Sequence, residues 1–201
     1  MTELALGAGR VAAPAPVPRV ANAPGRQVRC RPGTTIVDPR PGDVILIRGR
    51  GPLGFLVRFF QRIRHRSKQD RGYTYWTHAG LVVTSLGHLV EVAHTGVVIR
   101  KIETYRDHDY VYVGLDLTPA ERAAAVRYAY SCVRQPYGTF SAILIGLAIL
   151  GGDRLRVPDR GQQGCGTLIV RALQRAGMTF ERGPADTLPS DLAKRFGVSA
   201  D

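Results

Sequence analysis

The sequence predicts an α+β fold in which an antiparallel sheet is packed by helices. Short, β-branched segments joined by short turns fill the first half of the folded part, which is typical of antiparallel strands. Helical patterns separated by chain breakers fill the second half. Strands first and helices afterwards are typical of the α+β class, because α/β folds alternate the two.

The first strand is expected at residues 43–48, directly after Pro41-Gly42. Residues 77–83 form the next candidate strand. Residues 88–93 and 97–102 flank a turn at His94-Thr95-Gly96 and predict a hairpin. Residues 110–115 (YVYVGL) complete the set.

Five segments predict helices. Leu53, Leu56, Phe60 and Ile63 recur at helical spacing, with arginines on other faces. Thr118-Pro119-Ala120-Glu121 is a capping box with proline at the first helical position, and its helix is expected to run to about Arg134. The remaining helices are expected at residues 139–150, at 165–176 with Gly177 as the cap, and at 189–195.

The length suits one domain with a tail. The chain has 201 residues, 44% of them hydrophobic, enough for an ordinary core. Residues 1–38 are rich in Ala, Pro, Gly and Val and predict an extended arm, so residues 39–201 are expected to form the domain. The three cysteines are widely spaced and include no CxxC pair, which predicts reduced thiols without a metal site, and no cofactor is expected.

Lys and Arg outnumber Asp and Glu by 28 to 16, a net charge of +12. This excess favours an anionic partner: nucleic acid, a membrane surface or an acidic polymer such as cell wall. The segment RFFQRIRHRSKQDR offers Arg58, Arg62, Arg64 and Arg66 as candidates for binding substrate, lipid headgroups or cell wall. The alternative is a solvated face whose phenylalanines pack inward. No nucleic-acid-binding motif accompanies the segment, so specific nucleic-acid binding is not expected.

The N-terminus does not resemble a secretory signal, because it lacks a basic first region and prolines interrupt its apolar residues. The longest apolar run, residues 140–150, is shorter than the 20 or so residues that span a bilayer. We therefore expect a protein made in the cytoplasm that another route carries to a virion or to the cell wall. The arm is a candidate attachment to virion proteins.

Cys165 opens the helix of GQQGCGTLIVRALQRAG. A helix N-terminus offers free N–H groups and a partial positive charge, which favour a thiolate. The glycines at 164 and 166 are expected to leave the sulfur open to a substrate. The alternative is a buried, inert cysteine. Cys30, in the arm, and Cys132, in the middle of a predicted helix, lack these features.

A thiolate nucleophile needs a base, and the base needs an orienting acceptor. His78 begins a core strand and can face a cleft, whereas His65 is expected to be solvated. Glu91 lies mid-strand in LVEVA, where a carboxylate needs a partner. If the two strands pair, His78 and Glu91 can meet. The alternatives are a histidine satisfied at the sheet edge and a carboxylate facing solvent.

The ordered set of segments resembles the NlpC-type cysteine peptidase superfamily, in its circularly permuted papain-like, YiiX-like branch. In that branch the strands come first and the cysteine helix comes late. The resemblance covers about residues 40–196. The matching segments are 41–46 (PGDVIL), 77–82 (THAGLV), 90–97, 135–138 (QPYG), 165–170 (CGTLIV) and 187–192 (TLPSDL).

The resemblance implies an acyl-transfer hydrolase of amide or peptide bonds, with peptidoglycan stem peptides as the leading substrate. Cys165 would be the nucleophile, His78 the base and Glu91 its orienting group. The Cys165 N–H would bind the oxyanion, with Gln162, Gln163 or Tyr137 as a second donor. Gly166 and Thr167 depart from the usual serine and glutamate. Two alternatives remain: a structural virion component, and a lipid-directed acyl hydrolase or acyltransferase, whose NCEHF signature is absent here.

Overall fold

The computed structural model describes residues 25–93, 95–135 and 164–200. Six strands form one antiparallel sheet, and four α-helices are described with it, so the α+β class is confirmed. The strands are β1 Gln27–Cys30, β2 Val44–Ile47, β3 His78–Val82, β4 His88–Ala93, β5 Gly96–Lys101 and β6 Tyr110–Val113. The helices are α1 Gly51–Arg64, α2 Pro119–Ser131, α3 Cys165–Arg175 and α4 Pro189–Arg195, with 3-10 turns at Arg71–Tyr75, Ile102–Tyr105 and Pro184–Asp186.

The strand order across the sheet is β1-β6-β2-β3-β4-β5. Strands β3, β4 and β5 form a meander, which contains the predicted turn between β4 and β5 and the β3–β4 pairing that the sequence left open. Strand β1 lies within the stretch assigned to the arm, yet it pairs with β6 over its whole length. The buried Cys30 at its end joins the core. The sequence QVRC has no strong periodic signal, and β1 is set by its backbone pairing with β6. The sheet therefore starts before residue 39.

Alternation along the strands separates two cores on the two faces of the sheet. Val44, Leu46 and Leu81 belong to the larger core, which takes in apolar residues of α2, α3 and α4. Ile45, Ile47 and Leu89 point to the smaller core with Tyr105, Tyr110 and Tyr112. Both faces are covered, so β2 is buried at every position.

A buried carboxylate explains the PGD sequence before β2. Asp43 accepts hydrogen bonds from Arg122 Nη1 at 2.7 Å and from the Leu115 backbone N–H at 2.9 Å. The Tyr112 hydroxyl donates a third. Gly42 precedes it with φ of +90°, a conformation that favours glycine. These bonds join β2 to α2 and to the end of β6.

Among the described helices, the terminal signals are found where the sequence places them, with one difference. The Thr118–Glu121 capping box is formed, and Gly177 follows α3 with φ of +83°. Helix α2 ends at Ser131 instead of near Arg134. Arg134 takes a positive φ and donates its N–H to Val97 O at 2.9 Å, so tertiary pairing with β5 ends the helix early.

Several expectations lie outside the described residues. They are the arm up to residue 24, the helix at 139–150 and the oxyanion candidates Tyr137, Gln162 and Gln163. Within the described ranges, no helix combines the length and apolarity needed to cross a bilayer.

Candidate active site

The strand pairing brings His78 and Glu91 together. Strands β3 and β4 run antiparallel with Gly80 opposite Glu91, so the glutamate shares a face with His78, two residues before Gly80. A Cβ on Gly80 would lie 3.7 Å from Glu91 Cβ and 2.9 Å from a Leu89 methyl. The missing side chain leaves room for Leu89. Glu91 Oε2 lies 3.0 Å from His78 Nε2.

Three groups hold the buried Glu91 carboxylate, whose side chain is 2% exposed. Besides His78, Arg100 Nε lies 3.1 Å from Oε1, and the Tyr105 hydroxyl donates a hydrogen bond to Oε2. Burial alone would raise the pKa of Glu91, but His78, Tyr105 and Arg100 outweigh it and lower that pKa. The carboxylate is therefore ionised at neutral pH and fixed in place.

The imidazole of His78 lies between Glu91 and Cys165. Burial opposes the charged ring, but the neighbouring Cys165 thiol and Glu91 carboxylate raise the pKa of His78 to about 10. Since Nε2 is bonded to Glu91, Nδ1 is the nitrogen left for the thiol. The imidazolium is thus retained through neutral pH and is lost only as the pH rises through about 10.

Cys165 is the first residue of α3 and is half-buried, whereas Cys30 and Cys132 are both buried. Gly164 is the N-cap and supplies no side-chain cap. The N–H groups of the first turn point toward the end of α3 that carries the thiol. Among the described residues, no side chain caps them. Such a helix start stabilises anionic sulfur or oxygen.

Gly166 has a packing role that the sequence does not reveal. A Cβ at this position would lie 2.0 Å from the Thr187 carbonyl oxygen and 2.8 Å from its carbon. Only glycine lets the start of α3 approach this backbone so closely. Any residue with a side chain at this position would force the backbone at Thr187 to shift.

His65, expected to be solvated, is instead buried. Its Nε2 lies 3.1 Å from Ser190 Oγ and 3.4 Å from Asp191 Oδ1. It joins α1 to α4 in a contact that the sequence does not reveal, because the two segments lie 125 residues apart. Asp191 is further paired with Arg64 at 3.8 Å.

The four candidate arginines divide into two groups. Arg62 and Arg66 are exposed. Arg64 turns inward to Asp191, with 16% of its side chain exposed, and Arg58 lies 5.7 Å from the Tyr75 ring centroid. Only the first pair therefore lies fully on the surface.

An apolar groove runs beside the thiol. One wall comes from α1, and the others come from the start of α3 and from the backbone before α4. Its lining residues in the described part of the chain are Leu56, Val57, Phe60, Gly164, Cys165, Gly166, Thr167, Thr187, Leu188 and Pro189. A substrate that reaches Cys165 through this groove would place an apolar group beside the sulfur.

Sequence reasoning missed two residues of the site. Arg100 could have been found, because the hairpin register puts Glu91 opposite Val98 and alternation then places Arg100 on the same face. Tyr105 follows β5 in a 3-10 turn, and no periodic signal assigns it to Glu91. His108 packs edge-to-face against Tyr105, with ring centroids 5.5 Å apart. Burial lowers the pKa of His108, and repulsion from the Arg50 charge lowers it further.

Among residues 25–93, 95–135 and 164–200, no cluster of three or more His, Cys, Asp or Glu side chains could hold a metal ion. The groups that the site brings together are the Cys165 thiol, the His78 imidazole and the Glu91 carboxylate. No model of a known protein family matches the chain, and a search of curated proteins finds no significant match.

Proposed function

We propose that the protein is a cysteine-dependent acyl-transfer hydrolase of amide or peptide bonds, with peptidoglycan stem peptides as the leading substrate. The observation that supports it is the placement of His78 between Cys165 and a buried, ionised Glu91. The preference for cell wall rests on the resemblance described above and on the net charge of +12.

In the first half of the reaction, the Cys165 thiolate attacks the carbonyl carbon of the scissile amide. The carbonyl electrons move to oxygen, which the N–H groups of the first turn of α3 stabilise. His78 then donates its proton to the leaving nitrogen as the carbon–nitrogen bond breaks. The products are a free amine and a thioester on Cys165.

In the second half, neutral His78 removes a proton from water, which attacks the thioester. The carbon–sulfur bond breaks, the acid product leaves, and the thiolate and imidazolium are restored. Glu91 keeps the ring oriented in both halves and stabilises its positive charge. Its bonds to Arg100 and Tyr105 fix the carboxylate that does this.

A lipid-directed acyl hydrolase or acyltransferase is the second candidate. The groove beside Cys165 is lined mainly by apolar side chains of α1 and by Leu188 and Pro189, which suits an acyl chain as well as an apolar peptide side chain. In this reaction an ester oxygen replaces the amide nitrogen as the leaving group, and the residues keep their roles.

Incubation with purified peptidoglycan, defined stem peptides and long-chain acyl esters tests both candidates. We expect new free amines from the peptides, identified by mass spectrometry. Blocking Cys165 with iodoacetamide should remove this activity, because the thiolate is the attacking atom. Cleavage of esters alone would favour the second candidate, and activity that persists after complete alkylation of Cys165 would exclude both.

A further inference from the structure

Helix α1 presents a stripe of aromatic and cationic side chains to solvent. Phe55, Phe59 and Arg62 are separated by four and three residues, which places them on one face of a helix. Arg66 continues the stripe just beyond the last turn. Phe55 is 73% exposed and Phe59 is 48% exposed, and both arginines are exposed as well.

The two phenylalanines contribute only part of their apolar surface to the fold, and Phe59 contacts Phe60 edge-to-face with ring centroids 5.6 Å apart. Fully burying a side chain of this size stabilises a protein by about 1.5–3 kcal/mol, and most of that gain is missing at Phe55 and about half of it at Phe59. Elsewhere in the described residues, large exposed hydrophobic side chains occur singly, in loops at Val37 and Leu86, in β5 at Ile99 and in α2 at Tyr130. Only α1, among the described elements, carries two on one face.

The arginines beside these rings also lack acidic partners among the described residues. The sequence of α1 contains no Asp or Glu. None of the ion pairs formed among the described residues involves Arg58, Arg62 or Arg66. Burial lowers the pKa of Arg58, and repulsion from Arg62 and Arg48 adds to this. The surface therefore favours a bound anion.

We propose that α1 docks the protein peripherally on an anionic lipid bilayer. Phe55 and Phe59 enter the boundary between headgroups and acyl chains, and Arg62 and Arg66 contact lipid phosphates. An anionic polysaccharide or nucleic acid would satisfy the arginines but leave the phenylalanines in water. The combination of exposed rings and cations on one face is what favours the lipid surface.

Docking through α1 also brings the candidate active site to the membrane. Leu56, Val57 and Phe60 lie on a neighbouring face of the same helix and line the groove beside Cys165. A helix with its side chains is about 10 Å across, so the groove would lie within about that distance of the bilayer. The docking inference stands on the surface of α1 alone and does not depend on catalysis.

Co-sedimentation of the full chain with lipid vesicles tests the proposal. We expect at least tenfold tighter binding to vesicles of phosphatidylcholine mixed with phosphatidylglycerol than to phosphatidylcholine alone, weakening as salt rises. Phe55→Ala/Phe59→Ala should weaken binding at least tenfold, because the inserted apolar area is lost. Arg62→Ala/Arg66→Ala should weaken it by a similar factor through the lost charges.

Matched variants on other elements provide the control. Leu86→Ala/Tyr130→Ala removes exposed apolar area, and Arg106→Ala/Arg127→Ala removes two exposed charges; both should bind within twofold of the wild type. All these side chains are exposed, so circular dichroism should show unchanged folding. Absence of vesicle binding, or equal binding by the α1 variants and their controls, would overturn the proposal. Tight binding to heparin that Phe55→Ala/Phe59→Ala leaves unchanged, without vesicle binding, would assign the surface to an anionic polymer instead.

Discussion

Replacing Cys165 with alanine is expected to lower kcat/KM for amide hydrolysis by about 10³-fold or more. The variant keeps the groove and the His78–Glu91 pair but lacks the atom that forms the thioester. Because Cys165 is half-buried at a helix start, removal of its sulfur should change the melting temperature little. The measurement is initial rate on the cleaved stem peptide, with thermal unfolding on the same sample.

Cys132→Ala is the matched control, since Cys132 is buried at the end of α2, in the larger core. It should retain the rate of the wild type while losing some stability through the small cavity it creates. A Cys165→Ala protein that hydrolyses the peptide at the wild-type rate would contradict the nucleophilic role.

Replacing Gly166 with alanine is expected to destabilise the protein by about 3 kcal/mol or more. Overpacking in a fixed environment costs about 1–3 kcal/mol, and here the new Cβ would meet a backbone carbonyl oxygen at 2.0 Å. Alanine gains about 1 kcal/mol over glycine in helix propensity, which is too little to offset the clash. The melting temperature should fall by roughly 6–12 °C, the range expected for a chain of this size.

Gly183→Ala is the comparison variant. A Cβ at Gly183 meets no atom within 4 Å, and its φ of −62° suits any residue. This change should leave stability unchanged or raise it by about 0.4–1 kcal/mol. Equal melting temperatures for the two alanine variants would show that α3 does not need the close approach to Thr187.

Much of the fold could be predicted from local patterns. Strand β4 and helix α4 have the predicted bounds, because alternation and the Pro189-Ser190-Asp191 start are local signals. Strand β1 could not be predicted, since its four residues are held by pairing with β6. The end of α2 could not be predicted either, because the backbone hydrogen bond from Arg134 to Val97 sets it.

Some features of the candidate site could likewise be predicted from local patterns, and others depend on tertiary contacts. The meeting of His78 and Glu91 could be predicted once β3 and β4 were assumed to pair. The packing role of Gly166 could not, because it depends on a backbone segment about 20 residues later in the chain. The burial of His65 and the contact of Tyr105 with Glu91 likewise depend on tertiary contacts between separate elements.

The central claim is that Cys165, His78 and Glu91 act as one unit, and the pH dependence of Cys165 alkylation tests it most directly. The rate of modification by iodoacetamide is followed by mass spectrometry, with the buried Cys30 and Cys132 as internal references. Since the pKa of His78 is raised to about 10, its imidazolium is present beside the sulfur throughout the acidic and neutral range. We predict that Cys165 still reacts at about pH 6, where an ordinary thiol of pKa about 8.5 is almost entirely protonated. In His78→Ala this low-pH reactivity should disappear. Identical profiles for the two proteins, both rising only near pH 8.5, would contradict the claim.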